Sequence, residues 1–250
     1  MNKRQTMTLI RELEHQGNWL FRYRGQIPLV LFLMALPVML TSETHLSSGW
    51  LIGAIVASAA GTLIRAYVIA TTPRGTSGRN TKEQIAETLN TSGIYSLVRH
   101  PLYLGNYLMW IGIVLFTGSI TFTVVVSLLY WIYYERIMMA EERFLMGKFG
   151  AVYEEWASHT PAFIPMLTGF KKPTETFSIK SIFRREYSGW LATVVGFAYV
   201  DFLRCLYDAS MNAGAAWQVF SGKWINILIG FGLLTLLLRS LKHYTKVLED

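Results

Sequence analysis

Apolar runs alternate with shorter polar stretches along most of this chain. A helix needs roughly 20 apolar residues to cross the core of a bilayer. Trp50 to Ala70 has that length, with Arg65 near its end. Leu102 to Thr117 and Ile120 to Tyr134 form a close pair. Only Gly118-Ser119 separates them, a connection too short for anything but an antiparallel hairpin. Trp224 to Leu238 is a further clear run. Gln26 to Leu40 is shorter and carries Pro28 and Pro37, and Trp190 to Tyr207 is interrupted by Asp201 and Arg204. The pattern predicts an all-α, polytopic membrane protein with about six membrane helices.

The placement of basic residues agrees with six crossings. Lys and Arg are enriched in cytoplasmic loops, and that bias sets orientation. Lys3, Arg4, Arg11, Arg22 and Arg24 precede the first run, and the loop from Thr41 to Gly49 has no Lys or Arg. Arg65 to Arg99 holds five, Gly118-Ser119 none, and Arg136 to Arg185 eight. Asp208 to Gly222 has none, and the tail has Arg239, Lys242 and Lys246. Strict alternation puts both termini in the cytoplasm. The first 25 residues show no apolar core followed by a small-residue cleavage site, so no secretory signal peptide is expected.

Composition supports the same class. Hydrophobic residues make up 52% and charged residues 16%, against about 25% charged in an ordinary soluble domain. The net charge of +7 is spread over the expected cytoplasmic loops. It is explained by topology and anionic headgroups, without nucleic acid. One Cys and five scattered His give neither a disulfide framework nor a metal-ligand spacing.

Three parts follow: 1–70, an N-terminal segment with two membrane helices; 71–165, a core of cytoplasmic loop, helical hairpin and amphipathic cap; and 166–250, a basic linker with two further spans. A short helix is expected at Lys82 to Leu89.

Polar chemistry concentrates in the core. Arg99-His100-Pro101-Leu102-Tyr103-Leu104-Gly105 stands where the third run begins. Pro101 fits a first helical turn, where its missing N–H costs nothing. His100 then sits beside free backbone N–H groups, a place suited to an anion. An interfacial anchor of Arg, His and Tyr is the plainer reading of the same residues. Glu135, Arg136, Glu141, Glu142 and Arg143 close the fourth run, which the hairpin returns to the same surface. Adjacent Glu141 and Glu142 point about 100° apart on a helix, so one is expected to face the third span and the other water. Phe149, Tyr153 and Trp156 fall on one helical stripe, suited to a membrane surface or to capping a pocket.

These elements, in order, resemble a known family. They are Thr88-Leu89-Asn90-Thr91-Ser92-Gly93-Ile94-Tyr95, then Arg99 to Gly105, then Glu141-Glu142, then Phe149-Gly150 with Tyr153, then Pro161 and Pro165. The set is similar to the isoprenylcysteine carboxyl methyltransferases and, in its core, to the related phospholipid methyltransferases. The resemblance implies an integral membrane enzyme that uses S-adenosylmethionine in a cytoplasm-facing pocket under a cap, with a lipid substrate entering from the bilayer. It implies cofactor contacts at Glu87, Thr88, Leu89, Asn90, Tyr95, His100, Pro101, Leu102 and Tyr103, with Asn80 a looser match, and Glu141 facing the reacting group.

One position departs from the pattern. Members acting on prenylcysteine carry an Arg one helical turn before that Glu, where this chain has Ile137. Arg136 is the nearest Arg and the second candidate catalytic residue, but a one-residue shift turns it by about 100°. The glycine-containing loop with Arg74 and Arg79 suits a phosphate, because guanidinium pairs bidentately with phosphate oxygens. Arg74, Arg79, Arg99 and Glu142 are therefore the candidate substrate-binding residues. The favoured reading is methyl transfer to a membrane lipid, with a phosphate-bearing headgroup, phospholipid or lipid A-like, as one form. Prenylcysteine carboxyl methylation, a sterol-type reductase using NADPH, and a non-enzymatic transporter or scaffold remain as alternatives. Oligomeric state is not legible in the sequence. Asp201, Arg204 and Asp208 share a helix face and are expected to pair structurally.

Overall fold

The computed structural model describes residues 8–41, 47–73 and 86–249. Eight α-helices are present among them: α1 (Leu9–Tyr23), α2 (Ile27–Thr41), α3 (Ser48–Ala70), α4 (Pro101–Leu115), α5 (Ile120–Phe149), α6 (Ala151–His159), α7 (Ile179–Asp208) and α8 (Ala213–Tyr244). No named strand occurs among the described residues. A single antiparallel bridge joins Gly93 to Lys171.

The starts of these helices are written locally. Ser47, Ser119, Ser178 and Asn212 each accept a backbone N–H from the first turn of α3, α5, α7 and α8. The expected hairpin is α4–α5. Its turn uses Gly118 at φ 81°, a left-handed conformation natural to glycine. Gly150, at φ 54°, breaks what would be one continuous helix into α5 and α6.

α3 and α4 run antiparallel at backbone contact. A Cβ on Gly61 would collide with the Gly105 carbonyl and the Met109 amide. Ser58 Oγ donates to the Met109 carbonyl at 2.9 Å, and Trp50 Nε1 to the Leu115 carbonyl at 2.6 Å. Small residues allow such close approach in apolar surroundings, where dispersion and polar contacts hold helices together. α7 lies beside α4 in the same direction. Gly196 meets Ile113, and Arg204 donates to the Phe116 carbonyl. The α7 cap begins at the end of α3, where Ser178 N–H donates to the Ala70 carbonyl. α8 packs on α7 through Ala198, Cys205, Ala216 and Phe220.

Among the described residues, three helices, α3, α7 and α8, are both long and apolar enough to cross a membrane. Their outer faces expose Ile52, Ile55 and Leu63 on α3 and Ile229, Leu233 and Leu236 on α8. Apolar stretches in α2 and α4 are shorter, and α5 begins apolar and ends charged. Two expected boundaries move. α7 starts at Ile179 rather than Trp190, so Lys180, Arg184 and Arg185 of the expected linker are helical. Residues 82–85 of the helix expected at Lys82–Leu89 lie outside the described residues, and residues 86–89 are not helical.

α1 is an element the apolar runs do not announce. Leu13, Gly17, Leu20 and Phe21 give it one narrow inner face, and it lies along α5. A Cβ on Gly17 would collide with the Arg136 carbonyl. Tyr133 donates to the Leu20 carbonyl at 2.8 Å, and Arg143 pairs with Glu14 at 2.9 Å.

Candidate active site

His100 is the N-cap of α4 and Pro101 its first residue, as the spacing predicts. The chain after α6 pins this turn. Arg99 N–H donates to the Pro161 carbonyl at 2.8 Å, His100 N–H to Ala162 at 3.2 Å, and Met166 N–H to Leu97 at 3.0 Å. Below the turn, the Tyr130 hydroxyl donates to the Tyr103 carbonyl at 2.7 Å.

Both glutamates of the pair turn toward α4, which corrects the expectation that one would face water. Glu142 accepts from Arg99 Nη1 and from His100 Nε2, each at 2.8 Å. The His100 side chain is 4% exposed. A carboxylate only accepts, so Nε2 carries the proton. Burial opposes the charge of Glu142, but the His100 hydrogen bond and the charges of His100 and Arg99 outweigh it. Its carboxyl is held below the ordinary value. Glu141 accepts from the Tyr103 hydroxyl at 2.7 Å and lies 3.7 Å from His100 Nδ1.

These residues open on a cavity of about 780 Å³. Thr88, Leu89, Asn90, Tyr95, Arg99, His100, Pro101, Leu102, Tyr103 and Glu141 all line it, so most of the expected site is brought together. Glu142 stands behind the wall and anchors Arg99 and His100 rather than lining the cavity. Glu87 is exposed and does not line it. Arg136 does not line it either: its Nε donates to Gln16 on α1 and its Nη1 to the Ile132 carbonyl. Ile137 is fully buried beside Tyr134 and Phe21. Asn80, Arg74 and Arg79 lie outside the described residues.

α6 closes the site. Tyr153 and Trp156 line the cavity, and Trp156 Nε1 donates to the Tyr95 carbonyl at 3.2 Å. Gly150 separates Phe149 from this stripe. Burial and the Glu141 carboxylate push the Tyr95 phenol up, so it stays neutral. The Tyr153 hydroxyl and Arg99 Nε are buried without hydrogen-bond partners among the described residues. Tyr153 sits within the field of Glu142 but outside hydrogen-bonding geometry. Buried donors left unpaired are costly, and both belong to cavity-lining residues.

Residues 49–152 match the family model of phospholipid methyltransferases. That stretch of this chain is similar to that family. Among curated proteins, it is 40% identical over 98 residues to the cobalt-zinc-cadmium resistance protein CzcN of Cupriavidus metallidurans, covering 39% of this chain and 45% of that one. It is 34% identical over 79 residues to the protein-S-isoprenylcysteine O-methyltransferase of Schizosaccharomyces pombe, covering 32% and 34%. It is 34% identical over 95 residues to the nickel-cobalt-cadmium resistance protein NccN of Alcaligenes xylosoxydans xylosoxydans, covering 38% and 42%. The matched stretch spans less than half the length of each of these relatives. No solved structure matches the chain.

The stretch matched by the family model does not supply the whole cavity. Phe21, Arg24 and Phe32 come from the N-terminal helices, and Arg185, Glu186 and Leu191 from α7. The apolar runs of the sequence carry no sign of these contributions. An Arg inside an apolar span was the available signal, because intramembrane ionisable residues mark function and need a partner. That partner is Glu186, 121 positions away.

Proposed function

We propose that this protein is an integral membrane methyltransferase that moves a methyl group from S-adenosylmethionine to an anionic oxygen carried on an apolar tail. The observation that carries the reading is the graded lining of one cavity. Along α4 it passes from His100 and Tyr103 through Asn106 to Met109 and Trp110, and along parallel α7 from Glu186 to Leu191 and Val195. The charged, aromatic end suits the donor, and the apolar end suits a lipid tail.

Asn90, Tyr95, His100, Tyr103 and Glu141 would hold the donor, with Tyr153 and Arg99 as further hydrogen-bonding partners. When bound, S-adenosylmethionine supplies an electrophilic methyl on a sulfonium. Glu141, fixed by the Tyr103 hydroxyl, offers a carboxylate to that cation. Tyr95 and Trp156 offer aromatic faces, which attract cations in dry surroundings. α6 excludes water. An anionic acceptor oxygen needs no base, so orientation in one enclosed cavity provides much of the acceleration. Four arginines line the cavity against two glutamates, a balance that favours an anionic acceptor.

A phosphate-bearing lipid headgroup is the first form proposed for that acceptor. The prenylcysteine carboxylate is the second, favoured by the name of the Schizosaccharomyces pombe relative. The six-span topology, with both termini and the cavity mouth in the cytoplasm, belongs to the same proposal. It rests on the alternation of basic loops. The test is calorimetric titration of S-adenosylmethionine and its demethylated product into detergent-purified protein, with NADPH as control. Labelled-methyl incorporation into phospholipids and N-acetyl-S-farnesylcysteine follows. Saturable donor binding lost in His100→Ala is expected, and binding of NADPH alone would overturn the reading.

A further inference from the structure

The cavity wall holds an ion pair for which the donor end has no use. Arg65 Nε and Nη2 donate to the two Glu186 oxygens at 2.8 and 2.7 Å, and Nη1 donates to Asn106 Oδ1 at 2.5 Å. The Arg65 side chain is 16% exposed and that of Glu186 1%. Gly105 seats the arginine stem: a Cβ there would stand 2.6 Å from Arg65 Cγ. The guanidinium is thus held on three sides, by α4 and α7 as well as by its own helix.

Location distinguishes this pair from a simple staple between α3 and α7. All three polar residues line the cavity, at the level where its lining changes from charged to apolar. Asn106 stands one turn beyond Tyr103, the residue that fixes Glu141, and one turn before Met109 and Trp110. A lipid-borne acceptor with its tail in the apolar end carries its headgroup at this boundary. Three of the five guanidinium N–H donors go to Glu186 and Asn106, and the fork geometry of arginine suits carboxylate or phosphate oxygens.

We infer that Arg65 holds the anionic oxygen of the acceptor, and that Glu186 is a positioning residue that orients Arg65. The inference rests on the proposed transfer to an anionic lipid. Glu186 lies beyond residues 49–152. Acceptor recognition therefore depends on a helix that the methyltransferase core does not contain.

The experiment measures binding of N-acetyl-S-farnesylcysteine and dodecyl phosphate to the full chain in detergent. Each is titrated with and without the demethylated donor, alongside thermal midpoints. Wild type is expected to bind one of them, which tells carboxylate from phosphate. Arg65→Lys and Glu186→Gln are expected to weaken that binding by about tenfold or more, with demethylated-donor affinity kept within about twofold. The charge-swapped double variant, Arg65→Glu with Glu186→Arg, restores the ion pair and the thermal midpoint but not acceptor binding. If the swap restores acceptor binding too, if the single variants keep it, or if wild type binds neither probe, the inference is overturned. If wild type binds an acceptor through Arg65 but no methyl donor, the inference stands and the transferase reading falls.

Discussion

The Tyr103 hydroxyl donates to Glu141 across the α4–α5 hairpin at 2.7 Å, and thereby fixes the one carboxylate of the glutamate pair that lines the cavity. Tyr103 is itself held from behind by Tyr130 and lies against the Tyr134 ring. The carboxylate is held in place by an aromatic layer.

Replacing Tyr103 by Phe keeps the ring and removes that bond. Hydrogen bonds to charged groups contribute about 1.5–3 kcal/mol, so donor affinity is expected to fall by about tenfold or more. Glu141→Gln separates charge from shape. It should weaken S-adenosylmethionine more than the demethylated product, which lacks the sulfonium charge. Titration of both ligands against both variants checks this, and an equal loss for the two ligands would remove Glu141 from the cation site.

The clamp of Glu142 on Arg99 and His100 makes the start of α4 sensitive to acid. Its carboxyl is held below the ordinary value of 4.5. A carboxyl depressed in the folded state contributes stability above its unfolded pKa and loses it as pH falls through the folded pKa. The contribution is therefore intact at neutral pH and disappears only below pH 4.5. Thermal midpoints measured from pH 7 downward should show this loss in wild type. Glu142→Gln should begin lower at pH 7 and lack that component of the acid decline.

Gly61 tests the closeness of α3 and α4. A Cβ there meets the backbone of α4, which has no rotamer with which to yield. Gly61→Ala is expected to cost about 1–3 kcal/mol, as overpacking does. Gly230, on α8, has nothing within 4 Å of its Cβ position, and Gly230→Ala should leave the midpoint unchanged or raised. Detergent-solubilised melts of the two variants give the comparison, and equal midpoints would mean that α3 and α4 stand further apart.

Local rules are what the sequence expresses well here. The hairpin turn is set by Gly118, the start of α4 by Pro101, and the break before the cap by Gly150, each through its own backbone preference. Thr88 to Asn90 and His100 to Tyr103 line one cavity, but only the family resemblance, not these local preferences, links the two segments in the sequence. Choices among tertiary partners are not written locally. Arg136 looked available for catalysis until α1, a helix with only one narrow apolar face, covered that side of α5 and supplied Gln16. The direction of Glu142 depends on residues outside any helix, Arg99 and His100, which the returning 161–166 segment pins beside α5. Arg65 was visible as an anomaly in an apolar run, but nothing near it in sequence points to Glu186.

The polar cluster at the far end of α7 provides the last prediction, because it is structural and lies away from the donor end. Asp201 accepts from Arg204 Nη1 at 3.1 Å and from Trp224 Nε1 on α8 at 2.9 Å, with Lys223 at 3.7 Å. Arg204 also reaches the Phe116 carbonyl at the end of α4 and lies 4.7 Å from the Phe116 ring centre. Asp208 is exposed and takes no part in these contacts. Removing the carboxylate would leave the arginine uncompensated, a change that costs on the order of 3 kcal/mol when the site is buried. Asp201→Ala should therefore lower the thermal midpoint and loosen α8. Donor affinity, measured well below that midpoint, should stay within about twofold of wild type, because His100 and Phe116, the residue that Arg204 contacts, flank α4 at opposite ends. A large loss of donor affinity in folded Asp201→Ala protein would mean that α7 couples the two ends, and that the cluster belongs to the site.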